Sequence, residues 1–186
     1  MKILRASDYK RMPWKNGKGE TAEIAVFPAD ASIDGFDCRI SMAAVVEDGA
    51  FSTFENVDRT LVVLEGEGIE LSVDGSDPVE LRQNSAPHSF AADAPTTARL
   101  LGGRITDLNV MVRRGRATCS VTRRSSGPVE AAGTGVTLVF ALASCTRDGL
   151  ECLAPMDCAL LGPGDRLDLD RSVDGSLMVV HVLGTG

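Results

Sequence analysis

The chain has 186 residues, 44% of them apolar and 24% charged, and a formal net charge of −7. A chain of this length buries about 70% of its unfolded surface, enough for a core without covalent staples, and the composition is that of a globular protein. The acidic balance excludes a basic stripe, and with it a nucleic-acid or anionic-membrane partner, but leaves room for a local positive pocket.

The opening run, "MKILRASDYKRMPWK", has no long apolar stretch, so no signal peptide is expected and a cytoplasmic location follows. No apolar run approaches a membrane span. Residues 11–28, "RMPWKNGKGETAEIAVFP", hold the only tryptophan, Trp14, beside Lys15 and Asn16, with Gly17 and Gly19 just ahead of a β-like run. Alternation there puts Thr21 and Glu23 on one face and Ala22, Ile24 and Val26 on the other. In "FDCRISMAAV", Arg39 and Ser41 oppose Cys38, Ile40 and Met42. In "FSTFENVDRTLVVLEG", Asp58 and Arg59 stand directly before an apolar strand, residues 60–64. "GIELSVDG" alternates Ile69, Leu71 and Val73 against Glu70, Ser72 and Asp74. In "TDLNVMVRRG", Asp107, Asn109 and Met111 share a face. The segment 122–135, "TRRSSGPVEAAGTG", reads as a linker. Beyond it, "VTLVFALA" (136–143) and "SLMVVHVL" (176–183) suit strands buried on both faces.

Helical periodicity is scarce. Aspartate–glycine turns at Asp34, Asp48, Asp74, Asp148 and Asp174 punctuate the short runs. Many short strands with frequent turns predict a sandwich or barrel. The stretches opening "TLVVLEG" and "TLVFALAS" share one plan of buried run, turn, second strand and proline-containing turn, which predicts two β modules. The expected division is 1–121, a linker at 122–135, and 136–186 completed by strands from the N-terminal part.

One face of every barrel strand points inward. A polar inward face lines a pocket; the competing reading is a solvent face. Arg59 suits a carboxylate held in a bidentate fork, against a salt bridge to Asp58, Glu55 or Glu23. Glu23 is a general base if buried, or an arginine partner. Trp14 is a pocket wall, or core. Lys15 and Lys18 lack phosphate-loop spacing and lead into a strand. The cysteines, Cys38, Cys119, Cys145, Cys152 and Cys158, form no CxxC and read as small buried residues, with a Cys152–Cys158 disulfide as the lesser alternative. With only His88 and His181 and no HxH, the chain offers no three-histidine site, so no metal and no cofactor are expected.

Four blocks in order, "PWKNGKGETAEIAVFP", "FSTFENVDRTLVVLEG", "SFAAD" and "GGRITDLNVMVRRG", resemble the signatures of the HutD/Ves family as far as Arg116. The resemblance implies an all-β bicupin: two double-stranded β-helix (jelly-roll) barrels of the RmlC-like cupin type in one chain. It implies a bacterial cytoplasmic protein that binds a small carboxylate of histidine utilisation, such as formylglutamate, as a modulator of that catabolism, with the question of turnover left open. Carried onto this chain, the ligand set is Trp14, Asn16, Thr21, Glu23, Phe54, Arg59, Asp107 and Asn109; the polar strand faces add Arg39, and His88 joins the set, making the pocket more basic if it and Lys18 point inward. The sequence departs from the family at Lys18, Ala22, Cys38 and His88. No catalytic residue is assigned. The alternative is a metal-free isomerase or hydrolase using Glu23, Asp107 or His88 as acid and base. The expected partner is a small carboxylate, and exposed edge strands leave a homodimer open.

Overall fold

The computed structural model describes residues 1–14, 17, 19–125, 127–170 and 177–184. Strand β1 (Lys2–Leu4) leads into a 3-10 turn, Ala6–Asp8, the one helical element among the described residues. Then come β2 (Lys10–Pro13), β3 (Gly19–Phe27), β4 (Cys38–Val45), β5 (Gly49–Ala50), β6 (Val57–Glu65), β7 (Ile69–Val73), β8 (Val79–Leu81), β9 (His88–Ala91), β10 (Thr96–Leu100) and β11 (Ile105–Arg113). The remainder holds β12 (Ala117–Arg124), β13 (Val129–Glu130), β14 (Val136–Ala141), β15 (Cys145–Arg147), β16 (Leu150–Leu153), β17 (Cys158–Leu161), β18 (Arg166–Leu167) and β19 (Leu177–Gly184). The protein is all-β with a cupin fold. No helix among the described residues is long and apolar enough to cross a membrane.

The chain divides into two compact units, Lys10–Gly115, and Met1–Tyr9 together with Arg116–Gly186. This division differs from the one expected at 121 and 135. Strand β12 pairs with β19 from Ala117↔Gly184 to Arg124↔Leu177, so residues read as module end and linker are an edge strand of the C-terminal sheet. Alternating polar residues in "ATCSVTRR" disguise it, because an edge strand with a wet face carries no long apolar run. Strand β1 pairs with β17, so the first residues of the chain complete that same sheet.

In unit 10–115 a six-stranded sheet, β2-β3-β4-β11-β6-β9, and a four-stranded sheet, β5-β10-β7-β8, enclose a core that includes Val63, Leu71, Ala98 and Ile105. A second cluster, Phe36, Val57, Ala92 and Met111, closes the other end of the large sheet. The apolar run at 60–64 is buried throughout, as a central strand requires. Burial of each such aliphatic side chain contributes about 1.5–3 kcal/mol. Strict alternation along β3 fails at one point. The β3–β4 register slips between Glu23 and Ala25, which sets Val26 opposite Arg39 and turns it to the face of Thr21 and Glu23. A bulge of one residue inverts every later side chain.

In the C-terminal unit the sheet order is β1-β17-β14-β19-β12, with the small pairs β13-β18 and β15-β16. Its interior is hydrocarbon, with Val139, Leu153, Leu161, Leu177 and Val179 all at 1% exposure or less. Asp157, buried beneath β1, accepts hydrogen bonds from the Ala6 and Ala154 amides and from Arg5 at 2.6–3.1 Å, pinning the N-terminal segment. The Cys152 thiol donates to the Cys145 carbonyl and the Cys158 thiol to that of Ala159, so no Cys152–Cys158 disulfide forms.

Candidate functional site

The large sheet of unit 10–115 carries cross-strand rows on its inner face. One row runs Thr21, Ala43, Asp107 and Val63; the next runs Glu23, Ser41, Asn109, Leu61 and His88; the third runs Val26, Arg39, Met111, Arg59 and Phe90. The period-two alternation of β3, β4, β6 and β11 therefore delivers polar groups from four strands to one concave face. Thr21, Arg39, Ser41, Arg59, Asp107 and Asn109 among them line a cavity of about 710 Å³.

Arg59 stands at its centre, 5% exposed. Its guanidinium carbon lies 5.1, 5.4 and 5.8 Å from the ring centroids of Phe51, Phe54 and Phe90. Nη2 donates to the Ser52 carbonyl at 3.2 Å, while Nε has no partner. Two of the three acids weighed as its salt-bridge partners are engaged elsewhere: Asp58 with Arg114 at 2.7 Å, and Glu23 with Arg39 at 2.8 Å. No ion pair to Arg59 occurs among the described residues. Burial lowers its pKa to about 10, Asp107 raises it, and Arg39 lowers it further.

Asp107 is fully buried. Its Oδ1 accepts from Asn109 Nδ2 at 2.5 Å, whereas Asp107 Oδ2 and Asn109 Oδ1 have no partner. Burial pushes the Asp107 carboxyl up to about 7, held from rising further by the Arg59 charge, the Asn109 hydrogen bond and the Ala43 backbone amide. Buried polar atoms in folded proteins are nearly always paired. Here three atoms without a partner belong to side chains that line one cavity.

Trp14 forms the rim. It sits on the β2–β3 hairpin, where its amide donates to the Gly19 carbonyl at 2.9 Å and the Gly17 amide donates to the Trp14 carbonyl at 3.0 Å. The indole Nε1 donates to Thr21 Oγ1 at 2.8 Å. A Cβ at Gly19 would fall 2.9 Å from that ring, so only glycine lets the indole lie down against the strand.

Of the residues expected in the pocket, Trp14, Thr21, Arg39 and Phe54 line it together with Arg59, Asp107 and Asn109. Glu23 does not; it neutralises Arg39 from the side. His88 lies on the edge strand β9, half-buried, its ring 6.0 Å from that of Phe90, and also stands outside the lining. Asn16 lies outside the described residues. Phe51, Phe90 and Ser52 were not anticipated. The spacing of Phe51 and Phe54 about "FSTF" was the available signal for Phe51. Among the described residues no group of three His, Cys, Asp or Glu side chains is placed to hold a metal ion.

A family model described as HutD matches residues 6–179. The chain is 35% identical over 190 residues to the uncharacterized 21.2 kDa protein in the hutC 3′ region of Pseudomonas putida, covering 98% of this chain and 97% of that protein. It is 36% identical over 118 residues to protein Ves of Cronobacter sakazakii, covering 61% of this chain and 63% of that protein. Among solved structures, HutD from Pseudomonas fluorescens SBW25 (formate condition) is 30% identical with a TM-score of 0.81, covering 100% of this chain and 99% of that one. A cupin 2 conserved barrel domain protein from Leptotrichia buccalis, 11% identical with a TM-score of 0.57 over 98% of this chain, shares the fold alone.

Proposed function

The chain belongs to the HutD family, and from that premise we propose that unit 10–115 is a metal-free receptor for a small carboxylate, serving the regulation of histidine utilisation. One observation carries this reading. Arg59 is a buried guanidinium with an orphan N–H and no carboxylate partner among the described residues, at the heart of a cavity. A desolvated cation balanced only at a distance, by Asp107, is costly, and a planar fork matches a carboxylate. The three phenylalanine rings strip water from it and favour its charge. The relative from P. putida lies in the hutC 3′ region, and the P. fluorescens HutD structure bears a formate condition, formate being the smallest carboxylate. Formylglutamate or a related acid is the ligand the reading names.

The test is a thermal-shift series with formylglutamate, urocanate, formate and acetate on native protein and on Arg59→Met. A ligand at a hundred times its Kd stabilises the native protein by about 2.7 kcal/mol. That shift disappears in Arg59→Met if the reading is right; a shift of equal size in both proteins sinks it.

The Asp107 carboxyl, pushed up to about 7, favours one second reading, an acid–base enzyme acting on a small anionic substrate. It requires product formation that Asp107→Asn abolishes while binding persists.

A further inference from the structure

Asp107 Oδ2 and Asn109 Oδ1 are both acceptors, and both lack a donor. Each is sealed from solvent at the atom itself, so neither water nor a ligand in the cavity reaches it. The two side chains stand two residues apart on the same face of β11, 0% and 6% exposed. Asn109 Nδ2 donates to Asp107 Oδ1 at 2.5 Å. A carboxylic acid and a primary amide pair through two reciprocal hydrogen bonds, N–H to the acid and O–H back to the amide oxygen. The Nδ2 to Oδ1 bond is one half of that arrangement. The two oxygens without a partner are the atoms that the other half joins, and a single proton joins them.

Charge decides when that proton is present. The charged groups that line the cavity with Asp107 are Arg59 of β6, Arg39 of β4, and Glu47 and Asp48 of the turn between β4 and β5. Glu23 of β3 holds Arg39 at 2.8 Å, and Asp48 accepts from the Leu100 amide at 2.7 Å. Strand β10 of the facing sheet contributes Ala98 to the lining, and His88 of β9 stands outside it. Arg59 is the cation whose charge favours an ionised Asp107. A carboxylate docked on Arg59 sets a second anion beside the first. One guanidinium then serves two anions in a water-poor site, and like charges so placed drive one pKa upward. Burial already holds the Asp107 carboxyl near 7 in the free protein, so a modest further rise protonates it at neutral pH.

We infer that an acid binding at Arg59 is taken up together with one proton, which settles on Asp107 Oδ2 and donates to Asn109 Oδ1. The proton comes from solvent and reaches the buried oxygen by local opening. The bound state then holds Arg59 as cation, the ligand as anion, and Asp107 with Asn109 as a neutral, doubly hydrogen-bonded pair. This rests on reading the cavity as a carboxylate receptor and adds a response to pH. Binding raises the Asp107 pKa, so affinity is full below the free value and is lost as pH rises through it, where ionised Asp107 competes with the ligand for Arg59. Asp107→Asn makes the same pair without the proton, because the new amide donates one hydrogen bond to Asn109 and accepts the other.

Titration calorimetry with formylglutamate and with formate, both ionised from about pH 5.5 to about pH 8, tests it. Each acid is titrated in two buffers of different ionisation enthalpy, which counts the protons taken up per acid bound. At about pH 8 native protein takes up at least about 0.3 proton, and at about pH 5.5, where Asp107 is already protonated, next to none. Native affinity falls about tenfold from pH 6 to pH 8. Asp107→Asn binds at pH 8 within about threefold of native protein at pH 6, with no proton uptake. Native uptake below about 0.3 proton at pH 8 overturns the inference and leaves the carboxylate reading standing. Uptake that survives Asp107→Asn also overturns it, because the proton then settles elsewhere. If neither acid binds, or both bind Arg59→Met as well as native protein, the carboxylate reading fails and takes this inference with it. Should Asp107→Asn not fold, the native uptake at the two pH values decides.

Discussion

Arg59→Met separates what the arginine does for the fold from what it does for the ligand. Folding lowers the guanidinium pKa from its ordinary value to about 10, chiefly through burial. At 1.36 kcal/mol per tenfold change in proton affinity, keeping the charge inside costs roughly 3 kcal/mol. The depressed pKa means that this cost is fully present below pH 10 and relieved only as pH rises from there toward the ordinary arginine value. An assay at pH 7 therefore sees all of it. Two contributions offset the cost: the surrounding rings, at about 1–2 kcal/mol for a desolvated cation, and the Ser52 carbonyl, at about 1 kcal/mol. Methionine keeps most of the stem and places a thioether among Phe51, Phe54 and Phe90, a contact that sulfur favours. Asp107, no longer facing a cation, takes up a proton and becomes neutral. The variant should match native protein or exceed it by about 1–2 kcal/mol, a Tm rise of a few degrees for a chain of this size. Carboxylate affinity should fall a hundredfold or more, as for loss of one member of a buried charged pair, about 2–5 kcal/mol. Differential scanning calorimetry and titration calorimetry read the two numbers. A Tm drop of several degrees would mean that Arg59 is already compensated within the protein, and unchanged affinity would place the acid elsewhere; either result refutes the reasoning.

Glu23→Gln leaves Arg39, whose side chain is 8% exposed, without its carboxylate. Urea unfolding should show a loss of about 2–3 kcal/mol, less than for a fully enclosed pair because Glu23 stays 21% exposed. Asp107 has a raised folded-state pKa, about 7. Its contribution is therefore fully present below the unfolded value, near 3.8, and is lost as pH rises to 7. Asp107→Asn should flatten the fall in Tm between pH 5 and pH 7.5; a profile parallel to native protein would show that Asp107 titrates lower. Asp157→Ala removes the acceptor of the Ala6 and Ala154 amides and of Arg5. Hydrogen exchange should speed up over residues 2–8 by tenfold or more, with stability down by about 1–3 kcal/mol.

Period-two patterning made the inner face of the large sheet legible. Arg39, Ser41, Arg59, Asp107 and Asn109 fall on it because their strands keep register throughout the stretch that holds them. The same rule misplaced Val26, because a bulge leaves no local mark in "ETAEIAVF". Glu23 shows a different limit. Its row was read correctly, but the choice between binding ligand and neutralising Arg39 depends on side-chain reach across β3 and β4, which alternation does not encode. Phe51 and Phe90 were missed as a cage because they come from separate loops and strands and meet only around Arg59. The strand at 117–124 was missed for lack of apolar content; its pairing to β19 is a long-range fact.

The two units show why the polar rows amount to more than decoration. In the C-terminal unit the corresponding inward positions are Val139, Ala159 and Val179, one cross-strand row closed by aliphatic contact. In unit 10–115 the rows hold Asp107, Asn109, Arg39 and Arg59, and the space between the sheets stays open at about 710 Å³. The pocket opens to solvent, and its charged and amide side chains make its wall one that water wets. Aliphatic rows on the same strands would draw the sheets together and close it. The polar lining thus props the barrel open against collapse, and the same side chains are the ones that the proposed acid would meet.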